Sequence, residues 1–204
     1  MIAIIDYGLG NIQALVNVYH RLGIPVSIAK TAPELEAATK LILPGVGAFD
    51  HAMELLEASG MRQTLDRLVL GNKVPTLGIC VGMQILTDSS EEGALTGLGW
   101  IPGRVRAFKS EPASAALPLP HMGWNDVNVT GGHRLFKGLE EEARFYFLHS
   151  YFFESQQPES VIATVSYGID FCCAVQSGNL YGVQFHPEKS HHFGTDLLKN
   201  FAEL

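Results

Sequence analysis

The run Val74-Pro75-Thr76-Leu77-Gly78-Ile79 limits what this chain can become more than any other stretch of it. It carries no charge, and its apolar residues fall on both parities. A strand with one wet face alternates. A strand that is apolar on both sides must be covered on both, and the usual cover is helices over a parallel sheet. The residues before it supply those partners. Ile2 to Ile5 is a short apolar run bounded by Asp6-Tyr7-Gly8 and suits a buried strand. The segment 11–22 places Ile12, Leu15, Val16 and Tyr19 at helical spacing, with Gly23 where a C-terminal cap belongs. Strands are expected over 26–29 and 40–43, the second ended by Pro44-Gly45, and helices over 53–58 and 61–70. This alternation predicts an α/β fold: an open, doubly wound, mostly parallel sheet with helices on both faces.

The second half changes character. Strand-like runs at 104–108, 125–130, 144–151, 161–167, 172–176 and 180–185 have few helical intervals between them. Antiparallel additions are therefore expected in the C-terminal half. Pro112, Pro118 and Pro120 mark 110–120 as a loop, and a last helix is expected over 195–204. No repeat, low-complexity tract or linker interrupts the chain, so residues 1–204 are read as one domain. With 47% hydrophobic and 17% charged residues in 204, there is material for a packed core and no case for global disorder. The balance of 14 Lys and Arg against 21 Asp and Glu gives a net charge of −7, which argues against a nucleic-acid partner held through phosphates. No apolar stretch is long enough to span a bilayer, and no membrane association is expected. Three cysteines, with Cys172 and Cys173 adjacent, make a poor disulfide framework, so a cytoplasmic location is expected.

The chemistry centres on Gly78-Ile79-Cys80-Val81-Gly82-Met83-Gln84. A buried strand ends at Ile79 and a helix is expected to begin at Val81, which leaves Cys80 on a sharp turn. Small residues on either side relieve the crowding there, as in a nucleophile elbow. The positive partial charge of a helix start suits an anionic sulfur, and the Val81 N–H is free to stabilise an oxyanion. A thiolate nucleophile needs a base. His186, in Gly182-Val183-Gln184-Phe185-His186-Pro187-Glu188, is the candidate, at the end of a strand-like run. In extended geometry Glu188 points to the same side and could orient the imidazole. Leu43-Pro44-Gly45-Val46-Gly47 follows a parallel strand at the carboxyl edge of the sheet, where ligands bind in this architecture. Its N–H groups, at Val46 or Gly47, could complete an oxyanion hole. Gly8-Leu9-Gly10 fails as a dinucleotide fingerprint because Gln13 stands where Gly or Ala is needed, and the histidines and cysteines lack metal-ligand spacing. Neither a metal nor a cofactor is expected.

Cys80 with His186 and Glu188 resembles the triad of class I glutamine amidotransferases. Asp6-Tyr7-Gly8-Leu9-Gly10-Asn11, Leu43-Pro44-Gly45-Val46-Gly47, Pro120-His121-Met122-Gly123-Trp124-Asn125, His149-Ser150-Tyr151 and His186-Pro187-Glu188-Lys189-Ser190 occur in order. Together they are similar to the glutaminase subunits of imidazole glycerol phosphate synthases, over essentially the whole chain. The resemblance implies that Cys80 attacks the side-chain amide of glutamine, that His186 moves the proton, and that Glu188 orients it. It places Gln84, Glu92, His149, Ser150 and Tyr151 at the glutamine substrate. It places Asn11, Tyr146 and Lys189 toward a cyclase partner, a (β/α)8 barrel in a heterodimer, with Ala14 standing where that family often has a polar residue. The same motifs leave room for another triad glutaminase, for a γ-glutamyl peptidase, and for a non-catalytic binding subunit that keeps the fold.

Overall fold

The computed structural model describes residues 1–114 and 116–204. The strands are β1 (Ile2–Ile5), β2 (Val26–Ala29), β3 (Lys40–Gly45), β4 (Thr76–Cys80), β5 (Ser89–Ser90), β6 (Gly103–Ala107), β7 (His121–Asp126), β8 (Asn128–Val129), β9 (Arg144–His149), β10 (Tyr151–Ser155), β11 (Val161–Tyr167), β12 (Ile169–Ser177) and β13 (Leu180–Val183). The helices are α1 (Ile12–Arg21), α2 (Ala32–Leu35), α3 (Phe49–Ala58), α4 (Arg62–Asp66), α5 (Val81–Gln84) and α6 (His191–Ala202). The main sheet runs β2-β1-β3-β4-β13-β12-β10-β6-β5, with β11 and β8 added to β12, and β7 pairs with β9 in a small separate sheet. From β2 to β13 every pairing is parallel. From β13 through β12 and β10 to β6 every pairing is antiparallel. This is the α/β architecture expected, a mostly parallel sheet flanked by helices with antiparallel strands added late in the chain.

Strand β4 is buried at all five residues, as its unbroken apolar pattern requires. It is flanked on one side by β3 and on the other by β13, a strand from the far end of the sequence. The registers fix what meets at the carboxyl edge. Gly45 lies opposite Cys80 across β3 and β4, while Val183 lies opposite Ile79 across β13 and β4. The chain therefore leaves three adjacent parallel strands at one place. Pro44, read as a strand terminator, lies inside β3. Pairing with β1 stops at Ile42, so the N–H that proline lacks is not required on that side.

Several expectations shift. The short helix α2, not among the expected helices, is held by a capping box in which Thr31 N–H donates to Glu34 at 3.0 Å. Helix α3 starts at Phe49, a turn earlier than expected: Phe49 opens a buried face continued by Ala52, Met53 and Leu56, and Glu92 accepts from the Phe49 N–H at 2.9 Å. The helix expected over 61–70 is α4 followed by a π turn at Arg67–Gly71, where Asn72 N–H donates to the Arg67 carbonyl. The strand expected over 125–130 is two pieces: β7 begins at His121 and β8 is a two-residue strand in the other sheet. The run 144–151 divides at Ser150 between β9 and β10, which also belong to different sheets. Helix α6 starts at His191, four residues before the expected start, with Phe193 packed against the core and Gly194 buried in its first turn. Position 115 of the expected 110–120 loop lies outside the described residues; Ser114 is buried and donates to the Tyr167 carbonyl at 2.9 Å.

Close packing at the β4–α5 turn leaves no room for side chains. A Cβ on Gly82 would fall on the Leu43 carbonyl oxygen, and one on Gly78 would lie 2.6 Å from the Gly82 carbonyl oxygen. Both obstacles are backbone, which yields only by moving β3 in one case and α5 in the other. Gly82→Ala is predicted to destabilise the protein by about 3 kcal/mol, at the upper end of overpacking costs. Urea denaturation measures it, and an unchanged midpoint would mean that the turn is not held where this packing puts it.

Candidate functional site

Cys80 occupies the junction of β4 and α5 with φ 55° and ψ −114°. For a residue with a Cβ this backbone costs about 1–3 kcal/mol and persists only where the surroundings impose it. The imposition comes from β4, buried and paired on both edges, and from α5, whose close approach to β3 needs Gly82. The elbow expected from the glycine spacing is therefore present. Cys80 itself is 4% exposed and opens onto a cavity of about 290 Å³.

Val46, Gly47, Val81, Gln84, Glu92, His149, Ser150, Tyr151, His186 and Lys189 line the same cavity. Thus the elbow, the loop after β3, the β9–β10 break and the segment after β13 converge on one space. Pro120 and Leu148 also line it; Pro120 stood in the sequence only as a loop and motif residue, and Leu148 had no role there. Asn11 does not line the cavity; it stands exposed at the start of α1. Tyr146 and Lys189 are neighbours, with the Lys189 ammonium 5.9 Å from the Tyr146 ring centre. Beside them Trp124 packs against Tyr146 and His191, and Trp124 and Met122 are exposed. The alternating pattern of β7, buried at His121 and open at Met122 and Trp124, signals such a one-sided strand.

His186 Nδ1 meets Glu188 Oε1 at 2.9 Å, with both side chains almost fully buried. The pair was expected along an extended strand and does not arise there. Strand β13 ends at Val183, and Pro187–Lys189 form a 3-10 turn that folds the carboxylate back onto the imidazole. Ser190 secures the turn: its hydroxyl donates to the His186 carbonyl at 2.6 Å and accepts from Tyr146 N–H at 3.0 Å. His186 N–H donates to the Tyr146 carbonyl at 2.9 Å, which ties the turn to β9. Glu188 uses Nδ1 and leaves Nε2 as the nitrogen available to Cys80. Burial works against the imidazolium, but hydrogen bonding and opposite charge from Cys80 and Glu188 prevail and raise the His186 pKa to about 10.

The other two histidines nearby go the opposite way. His149 Nδ1 donates to the Tyr151 carbonyl at 2.7 Å, since a carbonyl only accepts. Its Nε2 therefore accepts, from His121 Nδ1 at 3.0 Å, and His121 Nε2 accepts from Asn125 Nδ2 at 3.3 Å. Both rings are neutral in this chain. Burial lowers His121 to about 4 and His149 to about 3, with the neighbouring His121 and His186 adding to the effect on His149. His121 stacks between Phe147 and Tyr167, at 4.8 and 4.2 Å. Glu92 serves two surfaces at once: it lines the cavity and caps α3 through the Phe49 N–H. Burial raises its pKa, the Phe49 N–H opposes that, and the charge of Asp50 adds to it. Cys172 and Cys173 are buried, and burial pushes both thiols up.

A thiol on a strained strand–helix turn beside a histidine backed by a buried carboxylate, at the carboxyl edge of a parallel sheet, is an arrangement suited to a cysteine nucleophile and its base. Residues 3–204 match the family model for Glutamine amidotransferase class-I, and the chain belongs to that family. Among its relatives, the imidazole glycerol phosphate synthase subunit HisH of Bdellovibrio bacteriovorus is 63% identical over 204 residues, with both chains covered in full. The protein of the same name from Leptospira borgpetersenii is 52% identical, again with full coverage of both. A crystal structure of a glutamine amidotransferase superposes with a TM-score of 0.76 at 20% identity, covering 99% of this chain and 97% of that one, which speaks to the fold alone.

The histidines set opposite limits on stability. His186 holds in the folded state a proton that the unfolded chain releases above about 6.5, so its contribution is full below that pH and is lost as pH rises toward 10. His121 and His149 refuse protons that the unfolded chain takes up, so their contribution is present above 6.5 and is lost as pH falls toward 4 and 3. The urea midpoint is predicted to peak near neutrality and to fall on both sides. Glu188→Gln removes the carboxylate that supports the imidazolium; it should lower the His186 titration seen by NMR and flatten the alkaline limb. A His186 titration unmoved in that variant would refute the pairing.

Proposed function

We propose that this chain is the glutaminase subunit of an imidazole glycerol phosphate synthase, acting as one catalytic domain in a heterodimer. It hydrolyses glutamine to glutamate and ammonia through a thioester on Cys80. The ammonia goes to a (β/α)8-barrel cyclase subunit, which forms imidazole glycerol phosphate and the aminoimidazole carboxamide ribotide in histidine biosynthesis. The observation that carries this reading is that Cys80 and His186 line one cavity, with Glu188 hydrogen-bonded behind the imidazole, in a chain 63% identical over its full length to a HisH subunit.

The residues fit the steps in order. The Cys80 sulfur adds to the side-chain carbonyl carbon of glutamine. The oxygen that becomes negative meets the Val81 N–H and an N–H from Val46 or Gly47, in a site where donors need no reorganisation. His186, protonated and steadied by Glu188, gives its Nε2 proton to the departing nitrogen, the C–N bond breaks, and neutral ammonia leaves a thioester. Water then attacks that thioester while His186 takes its proton; the C–S bond breaks, glutamate departs, and the sulfur is returned as it began. Gln84, Glu92 and the segment His149-Ser150-Tyr151 border the same cavity and suit the amino-acid end of glutamine.

Ammonia released into water near neutral pH is mostly protonated and no longer nucleophilic, so a biosynthetic glutaminase gains from an acceptor site docked against it. The exposed Met122 and Trp124, with Tyr146 and Lys189 beside the cavity and Asn11 just before α1, make a surface suited to that docking. Apolar and aromatic side chains rimmed by charge are what a stable interface uses at its centre. A cytoplasmic location accords with this role. No helix among the described residues is long and apolar enough to cross a membrane.

Glutamate release from glutamine is predicted to be low for the chain alone and to rise when the cyclase and its nucleotide substrate are added. Cys80→Ala should abolish it in both conditions, and Glu188→Gln should reduce kcat by about 100-fold, as loss of a group that orients a general base does. Full-rate turnover without a partner would remove the synthase assignment and keep the glutaminase. Release undiminished in Cys80→Ala would remove the nucleophile.

A further inference from the structure

We propose that Gln184 is a positioning residue for the nucleophile: its side-chain amide donates a hydrogen bond to the Cys80 sulfur, with its orientation dictated by Gln84 and the Tyr151 carbonyl. The proposal rests on the reading of Cys80 as nucleophile and adds a second donor to it, beside His186.

Gln184 is fully buried, so both ends of its amide must find partners inside the protein. An amide can be turned either way in principle, and its neighbours decide. Here the decision starts at a group with no freedom. The Tyr151 carbonyl accepts only, and Gln84 Nε2 approaches it at 3.1 Å, so Gln84 presents its NH₂ on that side. The second hydrogen of the same nitrogen goes to Gln184 Oε1 at 3.0 Å. With its oxygen taken, Gln184 turns its own NH₂ the other way, where Nε2 lies 3.8 Å from Cys80 Sγ. Reversing Gln184 would set two NH₂ groups against each other and an oxygen against the sulfur. The Tyr151 carbonyl is itself fixed, because His149 Nδ1 donates to it at 2.7 Å. Polarity therefore runs in one direction, from a backbone carbonyl through two amides to the sulfur.

A bond of this length to a neutral thiol is weak, but a donor facing an anionic sulfur is charge-assisted. An amide N–H cannot hand over its proton at working pH. Gln184 thus favours the anion without quenching it, and it holds the sulfur in one rotamer while His186 Nε2 remains free to move the proton. The titratable groups around the sulfur are His186 with Glu188, Tyr7 at the end of β1, His149 of β9, and Glu92 and Lys189 across the cavity. Substituting Gln184 removes none of them.

The test is the pH profile of Cys80 alkylation by iodoacetamide in the full chain, followed by peptide mass mapping, since Cys172 and Cys173 are buried. Gln184→Met keeps the length and removes the donor. The profile of Cys80 alkylation should move about one pH unit upward, so that on its acid limb, where the sulfur is mostly protonated, the rate falls about tenfold, as loss of one charge-assisted bond implies. In the complex kcat should fall with KM near wild type. A profile that superimposes on wild type, from protein with an unchanged melting temperature, overturns the proposal. If the variant does not fold, the side-chain amide signals of Gln184 in ¹⁵N-labelled wild type and Cys80→Ala decide it. They should move when the sulfur is removed, and identical signals overturn it. Glutamate release by Cys80→Ala keeps the two claims apart. Retained release removes the nucleophile reading and this inference with it, while abolished release with an unshifted Gln184→Met profile removes this inference alone.

Discussion

The pairing of β13 with β4 is the contact on which everything else here depends. Leu180 to Val183 run parallel to Thr76 to Ile79, one residue against one, although about a hundred positions separate them in sequence. Because the two strands are parallel and in register, the chain leaves both at the same edge. One exit becomes the Cys80 elbow and the other becomes the His186 turn. A shift by one residue would reverse which face each side chain of β13 uses. A shift by two would move the exits apart by most of a side-chain length. Hydrogen bonds of the sheet thus set the distance between a sulfur and an imidazole with a precision that flexible loops could not supply.

Around that frame, burial has opposite consequences for chemically identical groups. His121 and His149 sit among aromatic rings with neutral partners, and desolvation keeps them uncharged. His186 is also buried, but it faces a carboxylate and a sulfur, and their charge outweighs desolvation. Neutral histidines can form a directional chain, because each has one donor and one acceptor; a charged one cannot. The neutral pair fixes the Tyr151 carbonyl, which fixes the Gln84 amide, while the charged one confronts Cys80. The small β7–β9 sheet carries His121 and His149 and, through Tyr146, also holds the turn that carries His186. Two histidine environments of opposite sign are therefore built on one pair of strands.

Much of this was legible in the residues. The two-sided apolar run before Cys80 demanded a buried parallel strand, and β4 is one. The glycines at 78 and 82 signalled a tight turn, and the backbone of Leu43 and Gly82 shows what they avoid. Elements with partners far along the chain were read less well. Phe49 begins α3, where Glu92, about forty residues away, accepts from its N–H, although the spacing of Phe49, Ala52, Met53 and Leu56 and the acidic Asp50 are local signs of that turn. Residues 144–151 look like one strand, yet neighbours in two different sheets divide them at Ser150. The geometry of His186 and Glu188 came from a 3-10 turn begun by Pro187, which an extended reading of the same residues does not contain. Gln184 and Ser190 stood inside quoted motifs without a role, because neither has a visible purpose until its partners, Gln84 and Tyr146, arrive from elsewhere.

What the sequence determined by itself is the set of local instructions. These are a chain of alternating strands and helices, an elbow that only small residues permit, and a proline that turns the backbone beside a histidine. Each follows from forces acting over a few residues: apolar period, steric crowding, a fixed φ. What only the tertiary structure decided is the assembly of the cavity. Cys80, the loop at Val46 and Gly47, the break at Ser150 and the pair His186–Glu188 belong to segments with no local reason to meet. They meet because a parallel sheet buries strands best when each is covered by neighbours on both edges and helices on both faces. For β4 those neighbours are β3 and β13.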